Sequence, residues 1–381
     1  MTGPTAAQLN RTTLARQQLL ERCTLPVREA TRQVVALQAQ MPSSPYVALW
    51  NRIRDFQPTN LDAAFADGAM VKANVLRLTL HAVDGDDYRI FREAPEPSLR
   101  AAKLDSRFLA SSLTHAHVDA MLPGLLAYVA DGRTAAECAA WLAERHGADR
   151  DPSGWHGIRQ YAPLRRSPTG GPWSFDGRVC YRAPPDPPVL DDPSAHDRGL
   201  LQLVLRYLTG FGPATVADIA QFAMVQRGRV RQAIVALGDG VVRLDGSARP
   251  ELYDLPGAEL VDGDTPAPPR LLGMWDNLLL AHQDRARSIP DGYRKLVIRT
   301  NGDALPTLLV DGQVAGVWRS SGPSIEAMAF HPLPAAVWDE LGAEAASLLA
   351  MFRERGDTAP FRRYDHWWAK LASGETRLLG A

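Results

Sequence analysis

Apolar positions near the start of the chain recur at helical spacing: Leu14, Leu19 and Leu20 fall in one stretch, then Val27, Ala30, Val34 and Leu37 in the next. Pro26 sits where a helix start tolerates proline, and Pro42 and Pro45 interrupt the pattern. Ser43-Ser44-Pro45 can open another helix, on which Leu49, Ile53 and Phe56 share a face, and Thr59 to Asp62 reads as the cap of a short one. The period then changes to two. In residues 75–81, Leu76, Leu78 and Leu80 alternate with polar neighbours, which predicts a half-buried strand. Helices followed by a strand are the order of a winged helix.

That order returns twice. A helix around Leu122 to Val129 is followed by one capped by Thr134 with Glu137, then by two strand-like stretches, 161–167 and 173–182, around Thr169-Gly170-Gly171, predicting a β-hairpin wing. Pro184-Pro185-Asp186-Pro187-Pro188 is a stiff linker. Beyond it, Leu200, Leu203, Val204, Tyr207, Leu208 and Phe211 form one helical face. Gly212-Pro213-Ala214-Thr215 starts a second helix with Val216, Ile219 and Ala223, and Val230, Ile234 and Leu237 mark a third before the strand-like Val241 to Leu244. After Pro266 to Pro269 the chain reads as strands at 296–298, 308–310 and 314–318, with Asp311-Gly312 as a hairpin turn, closed by a helix near 343–352. The prediction is an α+β protein of tandem winged-helix (winged helix-turn-helix) modules at 1–117, 118–188 and 189–265, with a β-rich C-terminal domain at 266–381.

At 381 residues the chain is long enough for several modules, and its formal net charge of −1 gives no overall field towards nucleic acid, so any DNA contact must come from a local basic surface. Cys23, Cys138 and Cys180 are too few and too far apart for a zinc or disulfide framework. Neither a signal-like segment nor a membrane-length apolar run is present, which predicts a cytoplasmic protein with no membrane contact.

The chain holds no HExxH, no GxSxG, no phosphate loop and no dinucleotide fingerprint, so neither a metal nor a nucleotide cofactor is expected. His115 and His117 lack further ligands and read as solvent-facing residues at a helix start, and Asp84, Asp86 and Asp87 surround Gly85 as turn and helix-start residues do. Basic side chains are better placed. Arg165, Arg166 and Arg178 flank the predicted hairpin, and Arg227, Arg229 and Arg231 open the third module's candidate recognition helix.

One polar segment remains, Leu37-Gln38-Ala39-Gln40-Met41-Pro42. Residues two apart share a side of an extended segment, and the prolines favour leaving the helix here, so Gln38 and Gln40 are expected to face one cleft with Ala39 turned inward. This segment, together with Leu78-Thr79-Leu80-His81, Asp87-Tyr88, Phe211-Gly212-Pro213-Ala214-Thr215, Trp275-Asp276-Asn277 through His282, Asn301-Gly302-Asp303 and Gly316-Val317-Trp318-Arg319, resembles the bacterial AlkZ/YcaQ winged-helix DNA glycosylases. The likeness spans nearly the whole chain. It implies a C-shaped scaffold around DNA with the glutamines on the concave side. It also implies a Gln-x-Gln catalytic motif of the AlkZ-like branch at Gln38 and Gln40, where the YcaQ-like branch ends in Asp. Gln221-Phe222-Ala223-Met224 departs from the tryptophan-rich, glycine-containing stretch expected there.

The chemistry that follows is hydrolysis of alkylated purines from double-stranded DNA, in base excision repair or antibiotic self-resistance, by a monomer. Alkylation at N7 or N3 makes the base a ready leaving group, so neutral amides that hold a water at the sugar suffice. No lysine neighbours the glutamines in sequence, which argues against a Schiff-base lyase. Two other functions fit the same residues, a non-catalytic tandem winged-helix regulator and a protein that sequesters a genotoxin between modules.

Overall fold

The computed structural model describes residues 3–101, 113–146, 153–244, 250–371 and 374–380. Its centre is a six-stranded sheet in the order β1-β3-β2-β5-β6-β4, made of Leu37–Gln38 (β1), Met70–Asn74 (β2), Leu80–Asp84 (β3), Arg133–Thr134 (β4), Arg165–Ser167 (β5) and Cys180–Arg182 (β6). Antiparallel pairing of β2 with β5 joins the first stretch of chain to the second, so the two share one sheet.

The third stretch stacks three helices, Pro193–Phe211, Val216–Ala223 and Arg227–Leu237, before a two-stranded pair, Val242–Arg243 (β7) and Tyr253–Asp254 (β8). A capping box starts its second helix: Asp218 N donates to Thr215 Oγ1 at 3.1 Å, and Thr215 N donates back to Asp218 Oδ2 at 2.9 Å. Thr134 and Glu137 make the same exchange at the start of the helix Ala135–His146, as their spacing predicts. The C-terminal sheet runs β13-β12-β11-β10-β9, from Arg270–Leu272 (β9), Thr307–Val310 (β10), Gln313–Ser321 (β11), Ser324–Ala329 (β12) and Glu375–Leu379 (β13). Asp311 and Gly312 turn β10 into β11 with φ of 46° and 74°, the left-handed pair that a two-residue hairpin needs. The helix predicted near 343–352 runs the full length of Ala335–Arg355.

Apolar burial divides into three cores. The largest packs residues of the first helices, such as Leu14, Tyr46 and Leu49, against the C-terminal sheet and its long helix. The second joins Val71, Ala73 and Val83 of the central sheet to Leu203, Tyr207 and Phe222 of the third stretch. The third is internal to residues 113–183. The segment from Leu37 to Asp84 therefore lies between two cores and is held from both sides.

Several sequence expectations fail locally. Of the strand expected at 75–81, only Leu80 and His81 are strand, the start of β3, and the rest is the turn between β2 and β3, with Leu76–Leu78 in a tight 3-10 turn. Its alternating leucines arise because Leu76 is buried in the second core while Arg77 and Leu78, at φ of 54° and 55°, reverse the chain. The helix expected to carry Leu49, Ile53 and Phe56 ends at Trp50, and the stretches 161–167 and 173–182 are strand only at β5 and β6. The stretch at 296–298 ends a helical turn, Arg294–Val297, since Val297 alone of the three is buried and β10 already has β9 as its outer neighbour. Thr59 does not cap the helix Pro58–Ala66, which starts at Gln57 with no side-chain cap. Asp62 instead accepts from the Tyr46 hydroxyl, from Ser174 Oγ and from Arg355, tying the first stretch to the hairpin loop and the C-terminal helix.

Candidate active site

Antiparallel register assigns side chains to faces. Gln38 pairs with His81, His81 with Ala73, Ala73 with Arg165, and Arg165 with Arg182, so all five project from one face of the central sheet. The adjacent row, Leu37, Ala82, Lys72, Arg166, Tyr181 and Arg133, projects from the other. Strand spacing puts Gln38 and Arg165 roughly 14 Å apart along their row.

The two glutamines are presented differently. Ala39 is fully buried, as the alternation predicts, and Gln40 is exposed to solvent. Gln38 is only 5% exposed, so the two amides expected to face one cleft are not presented alike. Burial of Gln38 follows from its place in β1, whose strand is held by β3 and by the Ala39 N to Leu80 O hydrogen bond at 2.8 Å.

Both ends of the Gln38 amide are fixed. Its Nε2 donates to Thr79 Oγ1 at 3.2 Å, and that hydroxyl donates onward to Leu76 O at 3.2 Å. Its Oε1 accepts from Arg77 Nη2 at 3.4 Å. The reversed amide would set two donors, Nε2 and the guanidinium, against each other. The strained turn therefore orients Gln38. Two non-glycine residues in left-handed conformation cost about 1–3 kcal/mol each, and what they secure is this placement of Arg77 and Thr79.

Arg77 is the hub. Besides Gln38, its Nη2 lies 3.3 Å from His81 Nε2 and 3.4 Å from Asn277 Oδ1, and its guanidinium sits 5.1 Å from the ring centre of Phe222. No carboxylate pairs with it among the described residues. Burial, with Arg285 nearby, lowers its pKa to about 10, so it remains a cation at neutral pH. His81 is fully buried, hydrogen-bonds Thr79 O through Nδ1 at 3.0 Å, and is pushed down to about 3 by burial and by Arg77. A neutral ring with its proton on Nδ1 presents the Nε2 lone pair to Arg77.

Residues 276 and 277 support this arrangement. Asn277 Nδ2 donates to Ala36 O at 2.6 Å, next to β1. Asp276 forms a bidentate, fully enclosed ion pair with Arg52, both contacts at 2.8 Å. Gln38, Ser44, Arg52, Asp276 and Asn277 line a cavity of about 10 Å³, room for a single water. Arg77, His81 and Asn277 escaped the chemical reading of the sequence, although His81 and the Trp275-Asp276-Asn277 run both carried the family resemblance.

The arginines chosen from sequence do not form one patch. Arg165 shares the Gln38 face and borders a polar pocket of about 450 Å³ with Gly68 and Arg182. Arg166 lines the same pocket, although it projects from the opposite face of the sheet and stacks 4.4 Å from the Tyr181 ring centre. Arg178 is exposed in the hairpin loop. Arg227 is exposed and donates to Gln283 Oε1 at 3.3 Å, at the edge of a cleft of about 830 Å³ shared with the first helix. Arg231 is exposed on the same helix. Arg229 is directed inward, donating to Ala94 O at 3.0 Å and pairing with Asp197 at 3.1 Å.

The acidic turn and the histidine pair have local roles, and Asp84 and Asp87 are not at the surface but each 1% exposed. Asp84 and Asp86 pair with Arg28, and Asp87 pairs with Arg206. His117 joins Thr114 in a helix cap. Among the described residues no three His, Cys, Asp or Glu side chains gather as metal ligands, and no helix is long and apolar enough to cross a membrane.

The sequence profile of the DNA glycosylase AlkZ-like family matches residues 31–351. The chain belongs to the AlkZ-like DNA glycosylases. Among solved structures, Streptomyces sahachiroi DNA glycosylase AlkZ superposes on this AlkZ-like protein with a TM-score of 0.76 over 94% of this chain and 98% of that one, at 19% identity. No curated protein matches the sequence. The fold that surrounds Gln38, Arg77 and Asn277 is thus an AlkZ-like fold, and the activity of the family is removal of bases from DNA.

Proposed function

We propose that the protein is a monofunctional glycosylase that hydrolyses the N-glycosidic bond of alkylated purines in double-stranded DNA. N7-alkylguanine, including bulky or cross-linking natural-product adducts, is the substrate class, and the setting is cytoplasmic base excision repair or antibiotic self-resistance by a monomer. The three helix-and-strand stretches act as winged-helix modules in a C-shaped scaffold, a reading supported by the helix order and β7–β8 pair of residues 193–254.

The observation that carries the reading is the pairing of an exposed amide, Gln40, with an amide oriented at both ends, Gln38. An N7-alkylated guanine already bears positive charge, so its bond to C1′ breaks with the electron pair passing to the ring and no acid required. What the protein must supply is a positioned water and acceptor oxygens for the sugar's developing charge. Gln40 Oε1 has solvent access to hold that water. Among the described residues Gln38 Oε1 accepts a single hydrogen bond, at 3.4 Å, which leaves a lone pair for the sugar. Neither glutamine is a strong base or acid, so unmodified purines, which need protonation to depart, are spared.

No lyase step follows. Lys72, the buried lysine of the same sheet, projects from the face opposite Gln38. Incubating the protein with duplexes bearing a single N7-methylguanine, with alkaline strand scission and mass identification of the freed base, tests the proposal. Release of 7-methylguanine, with no borohydride-trapped covalent complex, is expected. Intact lesion DNA, bound without release, would instead support a non-catalytic DNA-binding protein.

A further inference from the structure

The polar pocket of about 450 Å³ beside Arg165 lies between the end of the helix Pro58–Ala66, the turn at Asp67 and Gly68, and strands β2 and β5. Arg165 and Arg182 both line it, and they are direct partners across β5 and β6, so their side chains leave the same face of the sheet. Directly opposed residues have β-carbons about 4.5–5.5 Å apart, and like charges in that position disfavour the pairing. The register that builds the sheet thus holds two cations side by side at one opening.

The surroundings keep that opening clear. Arg165 Nη2 donates to Ala183 O at 3.3 Å, which fixes the guanidinium without answering its charge. Gly68, at φ of 81°, puts no side chain into the space beside it, where a β-carbon would stand 3.6 Å from Arg165 Nη1. Asp67, the acid in the lining, is turned to the backbone and accepts from Ala69 N at 2.8 Å, and Asp186, next to the rim at Pro185, pairs with Arg89 at 2.9 Å. Arg166 also lines the pocket, but its guanidinium stacks on Tyr181, so the charge offered to a ligand is that of Arg165 and Arg182. Two adjacent guanidinium groups match the several acceptor oxygens of a phosphate, and an anion between them removes their repulsion. Ala66, Pro168, Arg182 and Pro185 are exposed, so a strand can cross the opening from outside without being threaded into it.

We propose that Arg165 and Arg182 clamp a backbone phosphodiester of duplex DNA in this pocket. DNA is the polyanion on which the family acts. The assignment rests on DNA being the substrate and not on excision of an alkylated purine, so it can be measured on undamaged duplex.

The test is duplex binding by the full chain over a series of salt concentrations, for the wild type, Arg182→Ala, Arg182→Lys, the double variant Arg165→Ala with Arg182→Ala, and Ala66→Trp. Loss of one phosphate contact flattens the slope of log affinity against log salt by about 0.9. The double variant is expected to show the whole of that loss and Arg182→Ala a part of it. Arg182 is exposed, so its replacement leaves folding intact, and Arg182→Lys should keep the wild-type slope because it keeps the charge. Ala66→Trp changes no charge at an exposed helix end but fills the opening, and is expected to flatten the slope as much as the double variant does. A wild-type slope in the double variant or in Ala66→Trp would overturn the assignment. So would calorimetric binding of inorganic phosphate that is lost in the double variant while its duplex affinity is unchanged, since the pocket would then serve a free anion. A wild type that binds duplex through this pocket yet frees no base would leave the phosphate site standing and remove the glycosylase proposal.

Discussion

Two adjacent rows of one sheet, one residue out of step, do different work. The row of Gln38, His81, Ala73, Arg165 and Arg182 carries hydrogen-bonding groups held by a strained turn. In the row of Leu37, Ala82, Lys72, Arg166 and Tyr181, Leu37 and Ala82 pack in the largest core and Tyr181 in the third, and Lys72 lies 4.6 Å from the Phe175 ring centre. Since side chains alternate, a slip of a single residue would exchange the two rows and turn Gln38 to the face that Leu37 occupies. The chemistry is therefore specified by register, and register is fixed by the cores on either side.

The comparison breaks most forcefully at Arg52 and Asp276, a buried pair beside the cavity that Gln38 lines. Removing one partner leaves a charge enclosed with no counterion, so Asp276→Ala should destabilise the protein by about 3–5 kcal/mol in urea unfolding. A loss below about 1 kcal/mol would show that the pair is better hydrated than its burial indicates.

Lys72 tests the other row. Burial and the nearby Arg166 lower its pKa from 10.5 to about 7, so the unfolded chain binds the proton more tightly than the folded one. Stability should then rise with pH between about 7 and 10.5, where the unfolded state holds more protons. In Lys72→Met that rise should be missing, and the variant should exceed the wild type in stability at pH 6. Parallel stability curves for the two proteins would mean that Lys72 is solvated or paired.

The smallest expected effect is an absence of change. On the Gln38 face, His81 titrates at about 3 and Arg77 at about 10. No group there changes charge near neutrality, and the substrate is already cationic. Single-turnover excision should be flat from about pH 5 to pH 8. A bell-shaped profile would require an acid or base outside this row.

Much of the fold was legible because it follows from periodicity and local chemistry. The capping pair Thr134 with Glu137, the helix start at Thr215, the Asp311-Gly312 turn and the helical faces of residues 193–237 all rest on neighbours in sequence. The turn at Leu76–Leu78 was misread because alternating leucines carry no mark of a left-handed arginine, which tertiary contacts to Gln38, His81 and Asn277 hold in place. For the same reason the Gln-Ala-Gln segment could be found in sequence while its asymmetry could not. Gln38 is closed in by Arg77 and Thr79, which lie some forty residues further along the chain. Arg229 shows the limit in reverse, since its place at a helix start suggests a surface contact and its guanidinium turns to Asp197 instead.

Most direct is the single-turnover excision rate of Gln40→Ala on a duplex with one N7-methylguanine. Gln40 is exposed, so its loss should change stability by no more than about 0.5 kcal/mol. If the solvent-facing amide positions the attacking water, the rate should fall on the order of 100-fold or more with duplex affinity preserved. A variant that excises within a few-fold of the wild type would contradict the role given to the paired amides.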